Sequence, residues 1–209
     1  MVRLPRRRRL FRFSLRTLLV VLTALCLLLG YKVRHVQQQQ AAVAWVQQMH
    51  GVVRYDFEVN GSGAPIPDAQ PPGPNWLRQL IGVDHFASVV GVNLTNPLVN
   101  DVTPLATLSS LKELGLQNTA VSDLSPLAKL TRLERLRLIS TPVTDVSMLP
   151  TLTKLRALRL GYCRIANLSA LARVRELKKL ELHEVPVEDR EIAEPHKALP
   201  DCDIIDYSR

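Results

Sequence analysis

Aromatic residues are scarce in this chain. Four Phe, two Trp and four Tyr make up 5% of its 209 residues, whereas apolar residues of all kinds reach 46%. A core built from this sequence is therefore aliphatic. Cysteine is scarcer still, and three thiols cannot staple a small domain. The five histidines (His35, His50, His85, His183 and His196) fall at no metal-ligand spacing. No phosphate loop, nucleophile elbow or paired-histidine zinc motif occurs, and Gly61-Ser62-Gly63 lacks the strand–helix setting of a catalytic serine. The expectation is a protein that is not an enzyme and uses no metal or cofactor. Acid is absent from residues 1–34, which hold nine Lys/Arg, while residues 35–209 hold eighteen Lys/Arg against nineteen Asp/Glu. The net charge of +8 thus belongs to the N-terminus, and the body stands at −1. That removes the argument for a nucleic-acid partner.

One apolar run stands out. Seven arginines (Arg3, Arg6, Arg7, Arg8, Arg9, Arg12 and Arg16) precede it at residues 18–29, and fifteen uncharged residues separate Arg16 from Lys32. A helix of that length spans about 22 Å, short of the roughly 30 Å hydrocarbon core. Snorkelling of Arg16 and Lys32 and thinning of the bilayer close the difference. The competing readings are a cleaved signal peptide and a buried helix of a soluble protein. Cleavage wants small residues one and three positions before the cut. Leu28-Leu29-Gly30 fails that test, and Ala42-Val43-Ala44 lies thirteen residues beyond Leu29. Cys26, after Thr23-Ala24-Leu25, fits no lipoprotein site. The expectation is an uncleaved single-pass anchor in the cytoplasmic membrane. Residues 1–16 form its basic cytoplasmic tail, residues 17–33 the transmembrane helix, and the remainder lies outside the cytoplasm.

From residue 89 the chain repeats every 22 residues. One unit reads SSLKELGLQNTAVSDLSPLAKL and the next TRLERLRLISTPVTDVSMLPTL. Seven apolar columns recur in it. The first three are Val89, Leu111, Leu133, Leu155, Leu177; Val92, Leu114, Leu136, Leu158, Leu180; and Leu94, Leu116, Leu138, Leu160, Leu182. The fourth and fifth are Val99, Val121, Val143, Ile165, Val187; and Val102, Leu124, Val146, Leu168. The last two are Leu105, Leu127, Leu149, Leu171; and Leu108, Leu130, Leu152, Val174. The alternating core of each unit predicts a short strand. Ser125-Pro126 and Thr103-Pro104 predict a Ser or Thr N-cap opening a short helix or 3₁₀ turn. No unit buries its apolar face alone, so the units must stack.

These residues resemble leucine-rich repeats, specifically the 22-residue internalin-like kind of bacterial surface proteins. The resemblance covers residues 89–194. It implies an α/β repeat solenoid, with a short parallel sheet on the concave face and short helical or 3₁₀ turns on the convex side. It also implies that the domain binds other proteins, and the anchor, FSLRTLL included, is similar to the start of bacterial envelope proteins that carry such repeats.

A solenoid needs its ends covered. Residues 36–59 predict an N-terminal helix–strand cap. Its helix carries Ala42, Trp45, Val46 and Met49 on one face, and its strand carries Val53, Tyr55 and Phe57. The glutamines at 37–40 read as a solvated spacer. Residues 60–74, with five prolines and three glycines, predict a loop. Residues 75–88 hold a short helix with Trp76, Leu77 and Leu80 turned inward, and residues 195–209 close the last repeat with a strand near 203–205.

Two polar sets remain. Asp101, Asp123, Asp145, Asn167 and Asp189 form a column that reads as caps for backbone N–H groups after each strand, rather than as a metal ladder. On the strand face, Arg135, Arg137 and Arg159 cluster, with Lys179 and Tyr162 at the edge. These five are the ligand-binding candidates, and the basic face suits an acidic protein segment or an anionic envelope polymer. Self-association as a structural envelope protein and service as a regulatory fragment of a partner chain are the alternatives. Cys163 and Cys202 read as separate thiols.

Overall fold

Stacked aliphatic columns demand a sheet in which every strand repeats the one before it. The computed structural model, which describes residues 15–60, 63–165, 167–186 and 189–207, has that sheet. Arg3, Arg6, Arg7, Arg8, Arg9, Arg12 and Val187 lie outside the described residues. The chain divides into two compact units, Met1–Gln37 and Gln38–Arg209.

The first unit holds most of helix α1 (Leu15–Gln48). From Arg16 the helix is long and apolar enough to cross a membrane, and none of its most apolar stretch is buried against protein. Such a helix fits a signal anchor or a membrane span.

In the second unit, β1 (Val52–Tyr55) pairs antiparallel with β2 (Val89–Leu94). Between them lies the seven-residue α2 (Asn75–Ile81). Strands β3 (Glu113–Gln117), β4 (Arg135–Ile139), β5 (Ala157–Gly161) and β6 (Lys179–His183) follow in parallel. Helix α3 (Asp189–Ala198) then leads to β7 (Asp203–Asp206), which pairs parallel with β6. The strands lie in chain order in one seven-stranded sheet. Each described member of the apolar columns is buried in one continuous core, and Leu111, Leu133, Leu136 and Leu138 have no exposed surface. This is a leucine-rich repeat solenoid.

After each of β3, β4, β5 and β6 the chain reverses through one left-handed residue, Asn118, Ser140, Tyr162 or Glu184 respectively, with φ between 48° and 53°. A 3₁₀ turn follows in each repeat, as at Thr103–Thr107 and Ser125–Lys129. Ser125 and Thr103 are not the caps. They sit in the first turn, and their N–H groups donate to Asp123 and Asp101, each at 2.8 Å. A carboxylate two residues upstream is the stronger acceptor and also takes the Thr103 hydroxyl at 2.6 Å, which leaves the hydroxyl no reason to cap.

The N-terminal cover departs from the expected one in three places. Gln39 is no spacer. It is 4% exposed; its amide donates to Asp84 Oδ1 and to the Ala87 carbonyl, both at 2.9 Å, and its Oε1 accepts the Val89 N–H at 3.4 Å. Tyr55 donates to the same Asp84 oxygen at 3.0 Å, and burial, then Asp84, raise its pKa. Second, Trp76 and Leu80 do not turn inward: they are 67% and 74% exposed. Ala42, Val43 and Val46 of α1 already bury against the end of the core. Arg78 meanwhile ties α2 to its own loop through the Pro71 carbonyl and Asn75 Oδ1. The strand expected through Phe57 stops at Tyr55 and becomes a 3₁₀ turn at Asp56–Glu58. At the far end α3 runs across the expected boundary at 194.

Leu136→Ala should cost about 2–5 kcal/mol in urea unfolding because it opens a cavity between two neighbouring repeats. Gln39→Ala should cost about 1–3 kcal/mol, since it strips partners from buried polar groups. Glu134→Ala, outside the apolar columns, should stay within about 0.5 kcal/mol.

Candidate functional site

Parallel pairing at a constant register carries side chains 22 positions apart into rows across the sheet. One row reads Glu113, Arg135, Ala157, Lys179 and Asp203, and the next Asn93, Gly115, Arg137, Arg159, Glu181 and Ile205. Arg137 and Arg159 are therefore direct neighbours on β4 and β5, and Arg135 lies two residues from Arg137 on β4. The structure brings the three arginines onto one face, with Lys179 one strand further on.

The arginines are not left uncompensated, as the clustering alone suggests. Arg135 pairs with Glu113, its cross-strand neighbour, and Arg54 of β1 reaches the same carboxylate at 2.7 Å. Arg159 pairs with Glu181, whose other oxygen lies 2.6 Å from Lys179 Nζ. Glu181 is a buried carboxylate, 6% exposed. The Arg159 and Lys179 hydrogen bonds pull its pKa down to about 2 against the cost of burial. Lys179 is correspondingly raised, by its bond to Glu181 first. Burial, then the like charges of Arg137 and Arg54, lower the Arg135 guanidinium. Arg137 is exposed. Among the described residues nothing accepts a hydrogen bond or ion pair from it. Opposite it on β3 stands Gly115, and the Asn93 side chain leans over that glycine, its Oδ1 buried with no hydrogen-bond partner among the described residues.

Two features bound this face. At one end, residues 58–60 pair with residues 63–66: the Ile66 N–H donates to the Glu58 carbonyl at 2.8 Å, and Ala64 N–H to Asn60 Oδ1 at 2.9 Å. Gly63 (φ 83°) presses on Arg135, where a Cβ would collide with the guanidinium. These residues, β1 and β3 border a shallow cleft lined by Arg54, Asn60, Gly63, Glu113 and Arg135 among others. At the other end His183 stacks on Tyr207, ring centroids 4.3 Å apart, and its Nε2 is buried without a partner. Tyr162, 62% exposed, occupies the left-handed turn position beside it. Arg54 and the aromatic pair escaped the sequence reading. Arg54 lies outside the repeat, and nothing in the spacing links it to Glu113. His183 and Tyr207 sit 24 positions apart, off the repeat register.

The second polar set lies in the turns. Asp145 and Asn167 accept the N–H groups of Ser147 and Ser169 at 2.7 and 2.6 Å, as Asp101 and Asp123 do in their repeats. The Ser125 and Thr103 hydroxyls, then their N–H groups, lower the pKa of Asp123 and Asp101. The side chain of Asp189 lies outside the described ones. Among the described residues no group of three or more His, Cys, Asp or Glu is placed to hold a metal ion. Cys163 is buried beside Thr141, Sγ to Oγ1 3.3 Å, and Cys163 and Cys202 are free thiols.

Residues 109–151 match the family model for leucine-rich repeats, two copies. Among solved structures the chain is similar to internalin C2 of Listeria monocytogenes. The two are 31% identical over 54% of this chain and 48% of that one, with a TM-score of 0.46. A second internalin of that organism, InlF, is 26% identical over 56% of this chain and 40% of its own, TM-score 0.47. The ectodomain of the Arabidopsis thaliana receptor kinase SOBIR1 is 16% identical over 82% and 92%, TM-score 0.51, which is a likeness of fold. The chain spans less than half the length of either internalin. No curated protein matches the sequence. Repeats of this kind generally bind proteins and do not catalyse reactions.

Glu181 sets an acid limit. Its carboxylate titrates lower when folded than the ordinary value of 4.5, so folding releases a proton as pH falls. Its stabilising contribution should be complete above pH 4.5 and vanish as pH falls through about 2. Urea midpoints measured across that window should decline in the parent and decline less in Glu181→Gln.

Proposed function

We propose that this leucine-rich repeat chain is a membrane-anchored, non-catalytic recognition protein. It holds an acidic protein segment or an anionic envelope polymer against its sheet face, outside the cytoplasm. One observation carries the reading: among the described residues Arg137 has no counter-charge, on a face where Arg135, Arg159 and Lys179 are each paired with a carboxylate. Evolution of an ordinary solvated face gives no reason to crowd Arg137 between Arg135 and Arg159, because like charges oppose folding. A partner's carboxylate or phosphate supplies the missing counter-charge. The ion pairs around Arg137 hold the neighbouring side chains in place before the partner arrives. Tyr162 and Lys179 extend the surface toward β6.

The anchor reading is supported by the exposed apolar helix from Arg16 and by the arginines that precede it, which favour the cytoplasmic side. Protease added to right-side-out membrane vesicles should therefore digest the repeats and leave the N-terminal peptide in the membrane. Digestion only after the vesicles are opened would overturn the topology.

Replacing Arg135 or Arg159 would strip a cation from Glu113 or Glu181, so Arg137 is the informative position. Partners captured by crosslinking in intact cells should be lost with Arg137→Gln by tenfold or more, the scale of about 1.5–3 kcal/mol for a charged hydrogen bond. Glu181→Gln, which frees Arg159 and Lys179, should hold them as well or better. Binding should weaken as salt shortens the Debye length from about 30 Å at 0.01 M to about 8 Å at 0.15 M. Retention of every partner by Arg137→Gln at low salt would refute the reading, and self-association with no captured partner would favour a structural role.

A further inference from the structure

Helix α2 presents two large apolar side chains to solvent, Trp76 and Leu80. They are four residues apart, one above the other on a single helix face. Pro74 at its start, Gly82 at its end and the Arg78 hydrogen bonds to Pro71 and Asn75 fix the helix in its loop. The pair stands in solvent on this short, capped helix. Something outside the described chain has reason to cover it.

The size of the patch selects among occupants. A Trp buries at most about 250 Å², and two side chains on a seven-residue helix fall far below the roughly 800 Å² per partner of a stable protein interface. A second copy or a separate protein gains too little from it. A surface to which the chain is already tethered needs only a small increment, because tethering raises the effective concentration. The tether is short. Gly82, which closes α2, lies beside Gln40, a Cβ there being 3.5 Å from Gln40 Nε2. Gln40 in turn follows Lys32, the end of the uncharged run, by only eight residues. Even fully extended, eight residues span no more than about 28 Å. Tryptophan with an aliphatic neighbour is also the side-chain chemistry favoured at the headgroup boundary.

We propose that the Trp76–Leu80 face of α2 docks into the lipid headgroup–acyl boundary beside the chain's own anchor. The contact gives the membrane-proximal end of the repeats a second attachment, and it compensates for an anchor whose uncharged run is short for a bilayer. It rests on the membrane-anchor reading and is independent of the binding face around Arg137.

The test uses the full chain with Trp45→Phe, so that Trp76 is its single tryptophan, reconstituted into phosphatidylcholine vesicles. Some vesicles carry acyl chains brominated near the carbonyl end. Trp76 emission should shift to the blue on reconstitution, lose most of its intensity to the brominated lipid, and resist iodide in the aqueous phase. Adding Leu80→Asp, a change at an exposed position, should reverse the shift and restore iodide quenching. Flotation with the vesicles, resistant to alkaline carbonate, reads the anchor separately. A chain that floats while Trp76 is quenched by iodide and not by bromine overturns the docking and leaves the anchor standing. Shielding from both quenchers means that protein covers the face, and it overturns the docking as well. A chain that fails to float overturns the anchor and, with it, this inference.

Discussion

Every other feature of the repeat unit hangs on the leucine ladder. Aliphatic side chains at a fixed 22-residue interval fill the space between successive turns without voids, and a neighbour on either side is the only way to remove them from water. The backbone has little freedom left once those positions are satisfied. It must return to the same height after each strand, which is why four successive repeats place a residue in the left-handed region even though none of the four is glycine. Packing outweighs the local strain of about 1–2 kcal/mol per position. The Asp and Asn side chains in the turns then satisfy N–H groups that the tight geometry would leave without partners.

The same register governs the electrostatics of the strand face. A side chain placed on one strand meets its counterpart 22 positions later, so charges on this surface interact as rows. Glu113 with Arg135 and Arg159 with Glu181 are such cross-strand pairs. Burying the Glu181 carboxylate is costly in isolation, and two cations holding it offset that cost. What remains is an ordered surface on which, among the described residues, Arg137 has no counter-charge, a different object from the cluster of like charges that the three arginines suggest.

An open-ended ladder would expose its last leucines and a row of unpaired strand groups. Strand β7 and α3 close one end. The other is closed by an antiparallel strand, a helix end and a polar knot in which Gln39, Tyr55 and Asp84 share their hydrogen bonds. That knot ties Gln39, in the C-terminal part of α1, to the first strand of the repeats. Gly63 leans on Arg135 from the same end, so the cover of the core also shapes one margin of the binding face.

The 22-residue period alone was enough to determine the repeat architecture, the buried columns and the side chains that share a row. Periodicity of apolar residues is a direct image of which positions face the core. The ion pairs were legible in principle too, since Glu113 and Arg135, like Arg159 and Glu181, differ by 22; reading the arginines as a group hid them. Contacts between segments with no common period were decided only by the tertiary structure. Arg54 reaches Glu113 from a strand that runs against the others. Gln39 is buried because the backbone at Ala87 and Val89 closes over it, although its neighbours in a glutamine run suggest solvent. Trp76 and Leu80 have the composition of a core helix, yet α1 had already taken the space they were expected to fill. Hydrophobicity fixes which side chains gain from burial, and only the packed chain decides which of them find room.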